Sequence, residues 1–192
     1  MKKPSIITLI FLILLSGCAT SRSNYLGGKE VRNMESAVSD IEPLKKIELG
    51  KSIKIQISES SPILITENIR GRFETFELSG TKDKDYHISV AAICDCIGFR
   101  KHSIAPAAYL LDKDGAILSS GNTTGTTFQI LLGKFPENGK YYFLVVADNR
   151  FDGERVGSLA GPMTIGRLPV PVDFSFPLTG QTTGSAFIHW EK

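Results

Sequence analysis

The side chains best suited to chemistry are the two thiols of Cys94-Asp95-Cys96, in a chain with one other cysteine, Cys18. Thiolate and imidazole are the ligand types of zinc and copper, and His87 and His102 lie within a few residues of the pair. Residues two apart on a strand share a face, so Cys94 and Cys96 point to the side of Tyr86, Ile88, Val90 and Ala92, with His87 on the other. C-x-C also departs from the usual C-x₂₋₄-C metal spacing, and the C-x-x-C redox motif is absent. Two extended residues span about 6.5–7 Å between Cα atoms, the upper edge of the ~4.4–6.8 Å disulfide range. A bridge therefore requires the chain to bend, which Gly98 permits.

Other constellations are weaker. Asp112-Lys113-Asp114-Gly115 and Asp148-Asn149-Arg150-Phe151-Asp152-Gly153-Glu154 offer carboxylates to calcium, but neither fits an EF-hand register. Arg150 stands where the second loop would place a ligand. The three histidines, His87, His102 and His189, have no G-x-S-x-G elbow or other partner set, so no catalytic residue is assigned. Phe99, Tyr109, Tyr142, Phe151 and Trp190 would stack on a sugar ring if exposed, but in a small β protein such residues belong more often to packing.

The N-terminus sets the compartment. Met1-Lys2-Lys3 is a positive start, Ile6 to Leu15 is apolar but for Thr8, and the run is too short for a stable span of about 20 residues. It closes on Leu15-Ser16-Gly17-Cys18, which resembles the lipobox of bacterial lipoproteins. The resemblance implies cleavage between Gly17 and Cys18, acylation of Cys18 with palmitate-type chains, and a membrane-held mature protein. Each buried methylene contributes about 0.8 kcal/mol, so several chains anchor firmly. No Asp follows Cys18, which by the same resemblance implies the outer membrane of a Gram-negative envelope. With Cys18 taken by lipid and the chain outside the cytoplasm, a Cys94–Cys96 disulfide leads. Reduced buried thiols come second and metal third.

Removing residues 1–17 from 192 leaves 175, with 20 basic and 20 acidic side chains. A balanced chain without a basic stripe has no electrostatic footprint for nucleic acid. The polar stretch 18–50 reads as a lipidated tether, although Val31, Met34, Val38 and Ile41 have the spacing of a short helix. From Ser52 the period becomes two: Ser52–Ile57, Pro62–Ile65, Arg72–Leu78, Tyr86–Ile93, Thr127–Leu132 and Lys140–Ala147 read as strands. The offset between Phe73 and Phe76 predicts a bulge or late start. Asp112–Gly115 reads as a hairpin turn between Tyr109–Leu111 and Ala116–Leu118. Lys140–Ala147 is apolar on both faces and belongs centrally. From about 162, prolines 162, 169, 171 and 177 confine further strands to edges.

Many short strands without a long helix predict an all-β chain, a jelly-roll-like antiparallel sandwich over residues 51–192. Phe73–Leu78, Tyr86–Val90, Tyr109–Asp112 with Gly115, and Gly139–Val145 together resemble bacterial pre-peptidase C-terminal domains over roughly residues 70–148. That resemblance implies an accessory or binding module without its own catalysis. The expectation is an envelope-anchored, non-catalytic module for a protein or glycan, with no cofactor and no metal. Its contacts are placed on Phe99, Arg100, Lys101, His102, Asp148, Asp152 and Glu154, because loops on rigid scaffolds carry function. The competing expectation is a metal-dependent or hydrolytic envelope enzyme whose site assembles only in three dimensions.

Overall fold

A computed structural model describes residues 28–41, 45–96, 101–121, 125–165 and 168–191, with 159–165 and 168–176 described by backbone only. The candidate residues Gly17, Cys18, Phe99 and Arg100 lie outside the described residues. The elements are β1 (Glu30–Val31), α1 (Met34–Ser39), β2 (Lys45–Lys46), β3 (Ser52–Ile57), β4 (Ile63–Ile65), β5 (Arg70–Gly80) and β6 (Asp85–Ile93). They continue as β7 (His102–Ile104), β8 (Pro106–Leu111), β9 (Ile117–Gly121), β10 (Phe128–Lys134), β11 (Gly139–Asp148), β12 (Arg155–Ile165), β13 (Leu168–Gln181) and β14 (Gly184–Trp190). A single 3₁₀ turn, Asn149–Phe151, follows β11. Among the described residues no helix is long and apolar enough to cross a membrane.

The strands form a jelly-roll-like β-sandwich. One sheet runs β1-β4-β5-β11-β8-β9, with β2 also on β5; the facing sheet runs β10-β6-β14-β3. A third, smaller sheet, β12-β13-β7, is attached at one end. Alternation explains the main core: Phe76, Leu78, Tyr141, Phe143 and Val145 from the first sheet meet Ile55, Ile57, Ile88, Val90 and Ile188 from the second. Phe135 closes it, with ring centroids 5.0 Å from Tyr86, 4.8 Å from Tyr141 and 6.1 Å from Trp190.

The Phe73–Phe76 offset has a different cause from the bulge or late start expected, for β5 begins at Arg70. β5 and β11 pair without a register shift from Gly71↔Asp148 to Gly80↔Gly139. The two rings lie on opposite faces of a strand buried on both sides. Phe76 belongs to the main core, whereas Phe73 packs with Leu144, Val146, Ala107, Leu64, Val31 and Ala37.

That second cluster also corrects the expected tether. The described residues from Glu30 to Gly50 are part of the fold: β1 pairs with β4, α1 covers the outer face of the first sheet, and β2 pairs with β5. Asn33 caps α1 by accepting the Ser36 N–H (2.7 Å), and the Thr75 hydroxyl donates to Ala37 O (3.2 Å), fixing the helix to β5. A two-sided apolar sheet cannot leave one face wet, so these residues supply its cover.

The tail needs a second correction. β14 is not an edge strand but lies between β6 and β3, with Ala186, Ile188 and Trp190 buried. The prolines confine only the β12–β13 ribbon; β14 has none, so its N–H groups are free to pair on both sides.

Candidate functional site at one end of the sandwich

β6 ends at Ile93, and the chain then turns back on itself. Asp95 and His102 form an antiparallel bridge, with N–H···O distances of 2.7 and 3.1 Å in the two directions. The turn draws the Cα atoms of Cys94 and Cys96 to 5.3 Å, and the two sulfurs are joined as a disulfide. The bend that the extended spacing demanded is therefore present. The pair does not enter the main core, as a continuous strand would have required. Both residues are half-buried against a small cluster of Ala105, Val156, Leu178 and Phe151. His87 stays on the outer face of β6, where its Nδ1 lies 2.7 Å from the Glu191 carboxylate. A three-residue loop removes little chain entropy, so the Cys94→Ser/Cys96→Ser double variant should lose about 1–2 kcal/mol in chemical denaturation. Intact-mass measurement without reductant should show the wild-type domain lighter by two hydrogens.

Two stretches singled out in the sequence meet across one piece of backbone. β7 (His102–Ile104) runs parallel to Thr179–Gln181 of β13, and the Thr179 N–H donates to Lys101 O (2.9 Å). On the other side of β13, Asp152 bridges Gly180, the Gly153 N–H donates to Gly180 O (3.0 Å) and the Gly180 N–H donates to Glu154 O (2.8 Å). The Lys101–His102 and Asp148–Glu154 segments are thus neighbours through Thr179–Gln181. Gly180 permits this approach, because a Cβ there would run into Phe151 O. Gly180→Ala should raise hydrogen exchange in 101–104 and 148–154 while β5 and β11 remain protected, a pattern that global destabilisation would not give.

The second loop is organised by a buried carboxylate. The Asp148 side chain is fully buried, and its Oδ1 accepts the Arg150 N–H (3.0 Å), which caps the 3₁₀ turn. Arg150 Nε and Nη2 donate to the same carboxylate, the latter at 2.6 Å, and the guanidinium carbon stands 5.7 Å from the Phe151 ring centre. The hydrogen bond to Asp148 raises the Arg150 pKa against the opposing effect of burial. Asp152 and Glu154 are exposed at the rim. Among the described residues no group of three or more His, Cys, Asp and Glu side chains is arranged to hold a metal ion. In the first acidic loop, Asp112 Oδ1 accepts the N–H groups of Asp114 (2.9 Å) and Ala116 (2.8 Å), with Gly115 at φ 83° as the hairpin turn requires.

No protein-family model matches the chain. No curated protein matches it either. Among solved structures the chain is similar to the pre-peptidase C-terminal domain of a collagenase from Bacillus anthracis, with 15% identity and a TM-score of 0.40. The match covers 78% of this chain and 96% of that one.

Sequence reasoning missed two members of this end, Ser103 and Asn149. Ser103 is buried, and its hydroxyl has no hydrogen-bond partner among the described residues; the same holds for His102 Nδ1 and both amide atoms of Asn149. Buried polar atoms are normally paired. Nothing in a sequence marks a serine as buried; the pairing of β7 with β13 decides it. Tyr109, considered for stacking, lies instead near Asp148. Burial raises its phenol pKa, the Asp148 charge raises it further, and Arg150 partly opposes this. The folded state therefore holds the neutral phenol more tightly than the unfolded chain. That contribution is complete below the ordinary tyrosine value of about 10 and is lost as pH rises through the higher folded value. In an alkaline ultraviolet titration, a late-ionising tyrosine should be present in the wild type and missing from Tyr109→Phe.

Proposed function

We propose that the chain is an envelope-anchored lipoprotein, acylated at Cys18, whose sandwich is a non-catalytic binding module for a protein or glycan. The observation that carries the reading is the convergence of the two candidate loops on Thr179–Gln181. Around that segment lie the exposed carboxylates of Asp152 and Glu154 and the half-exposed Lys101, whose amine also donates to Cys96 O (3.0 Å). Such an end offers charge and hydrogen bonds on a frame tied by a disulfide and by backbone pairing. That preorganisation suits recognition by loops on a rigid scaffold.

Two measurements test the two halves of the proposal. Metabolic labelling with palmitate should mark the wild type and not Cys18→Ser; equal labelling would remove the anchor. Co-sedimentation with cell-wall glycan and affinity capture from envelope extract should both be run on wild type and on Lys101→Ala/Asp152→Ala/Glu154→Ala. These three residues are half-exposed or exposed, so the variant should keep its fold and lose its ligand. Equal recovery by wild type and variant would sink the site assignment.

A further inference from the structure

The exposed large apolar side chains are concentrated on one side of the sandwich. Of the seven among the described residues, five belong to β9 and β10: Ile117 (51%), Leu118 (37%), Phe128 (48%), Ile130 (45%) and Leu132 (64%). These two strands end their respective sheets on the same side, where Gly121 of β9 packs against Gln129 and Leu131 of β10. We propose that this side is a two-fold interface with a second copy of this chain, made by antiparallel pairing of β10 centred on Ile130.

Backbone parity supports that register. Thr127 O accepts the Ala92 N–H (2.7 Å), so the odd-numbered residues of β10 point their backbone groups towards β6. The even-numbered ones, Phe128, Ile130 and Leu132, present theirs at the other edge. The Phe128 carbonyl is met there by the Thr126 hydroxyl (2.8 Å). The same even-numbered residues carry the exposed side chains, while Gln129 and Leu131 are buried. Pairing between residues that face outwards allows Ile130 to lie opposite Ile130 of the partner subunit, and Phe128 opposite the partner's Leu132. The backbone edge and the apolar row are then self-complementary under one two-fold axis, as an isologous interface requires.

Among the described residues the edge also lacks the usual protection against strand addition. Natural edge strands carry Lys, Pro or bulges, yet Phe128–Leu132 has no charge and no proline, and Lys134 comes only at its end. β3, at the opposite edge of the same sheet, exposes Lys54 in its middle. Phe128, Ile130 and Leu132 are exposed on the outer face of their sheet, where the partner's own row lies beside them across the two-fold axis and supplies part of the contact. The paired backbone and flanking polar residues supply the rest.

Single-cysteine cross-linking of the full chain tests the register. In a hydrogen-bonded antiparallel pair the Cα atoms stand ~5.5 Å apart, so Ile130→Cys should form a homodimer under mild oxidant. In Leu132→Cys the two thiols stand four residues apart along the strands, about 13 Å or more, and cross-linking should fall by roughly ten-fold. Wild type under the same oxidant controls for the native cysteines. Ile130→Lys, at an exposed position, should keep the thermal midpoint and give only monomer by light scattering. A monomeric Ile130→Cys, equal cross-linking at both positions, a cross-link to a different protein, or a dimer that survives Ile130→Lys would each overturn the proposal.

Discussion

Phe143→Ala is expected to lower the unfolding free energy by about 3–5 kcal/mol, the range for deleting a fully buried phenyl ring. Phe143 is wholly buried and lies directly across from Phe76 on β5, another wholly buried ring. Both rings point into the space between the two sheets, where Ile188 and Val90 arrive from the other side. The hole left by alanine is walled by paired strands, which cannot collapse without breaking the β5–β11 ladder. Against a typical total stability of about 5–15 kcal/mol, such a loss brings the domain near its threshold. Urea denaturation followed by the single Trp190 would read it. Leu144→Ala, one residue along and on the opposite face, should cost about 2–4 kcal/mol by loosening the cover of α1 and β1. A loss below 1 kcal/mol for Leu144→Ala would mean that the N-terminal segment does not cover that face.

Arg150→Ala is expected to destabilise more than Asp148→Ala, although the two residues form one pair. The Asp148 side chain is 0% exposed and that of Arg150 is 49% exposed. Removing the arginine leaves a buried carboxylate with its best partner gone. Removing the aspartate lets the guanidinium turn into water, and chiefly the cap of the 3₁₀ turn is lost. Breaking a fully buried pair costs about 3–5 kcal/mol; because half of Arg150 is already in water, about 2–3 kcal/mol is expected for Arg150→Ala. Asp148→Ala should cost about 1 kcal/mol, the size of a lost cap. Paired denaturation curves decide it, and the reverse order would show that the carboxylate is not sealed from solvent. The proposed binding end depends on this pair, because it holds the loop from which Asp152 and Glu154 reach the rim.

The proposed ligand-binding end and the proposed self-pairing edge involve different features of the molecule. The first is polar, tied by a disulfide and built where β6, β7, β11 and β13 end or turn. The second is apolar and runs along the length of β10. A binding module held on a membrane by acyl chains gains effective concentration for self-pairing, so a modest interface suffices when copies share a surface.

Period-two alternation was legible wherever one face of a strand is wet. Ser52–Ile57 and Tyr86–Ile93 were readable as strands, and Asp112–Gly115 as a turn, because local chemistry alone decides them. Both apolar faces of Lys140–Ala147 announced a central strand. The sequence by itself thus determined an all-β sandwich and its principal strands. What it could not decide were features set by partners distant along the chain. Phe73 and Phe76 looked like a bulge because nothing local says that a strand is buried twice. Glu30–Ile41 read as tether because its few apolar residues matter only once Leu144 and Val146 face them. β14 read as an edge because proline-rich neighbours precede it. The meeting of Lys101–Ile104 with Asp152–Glu154 depends on Gly180, many residues from either, admitting a close backbone approach. Side-chain alternation is a local property of a chain, whereas the second face of a strand, and the two sides of β13, are defined only by what packs there.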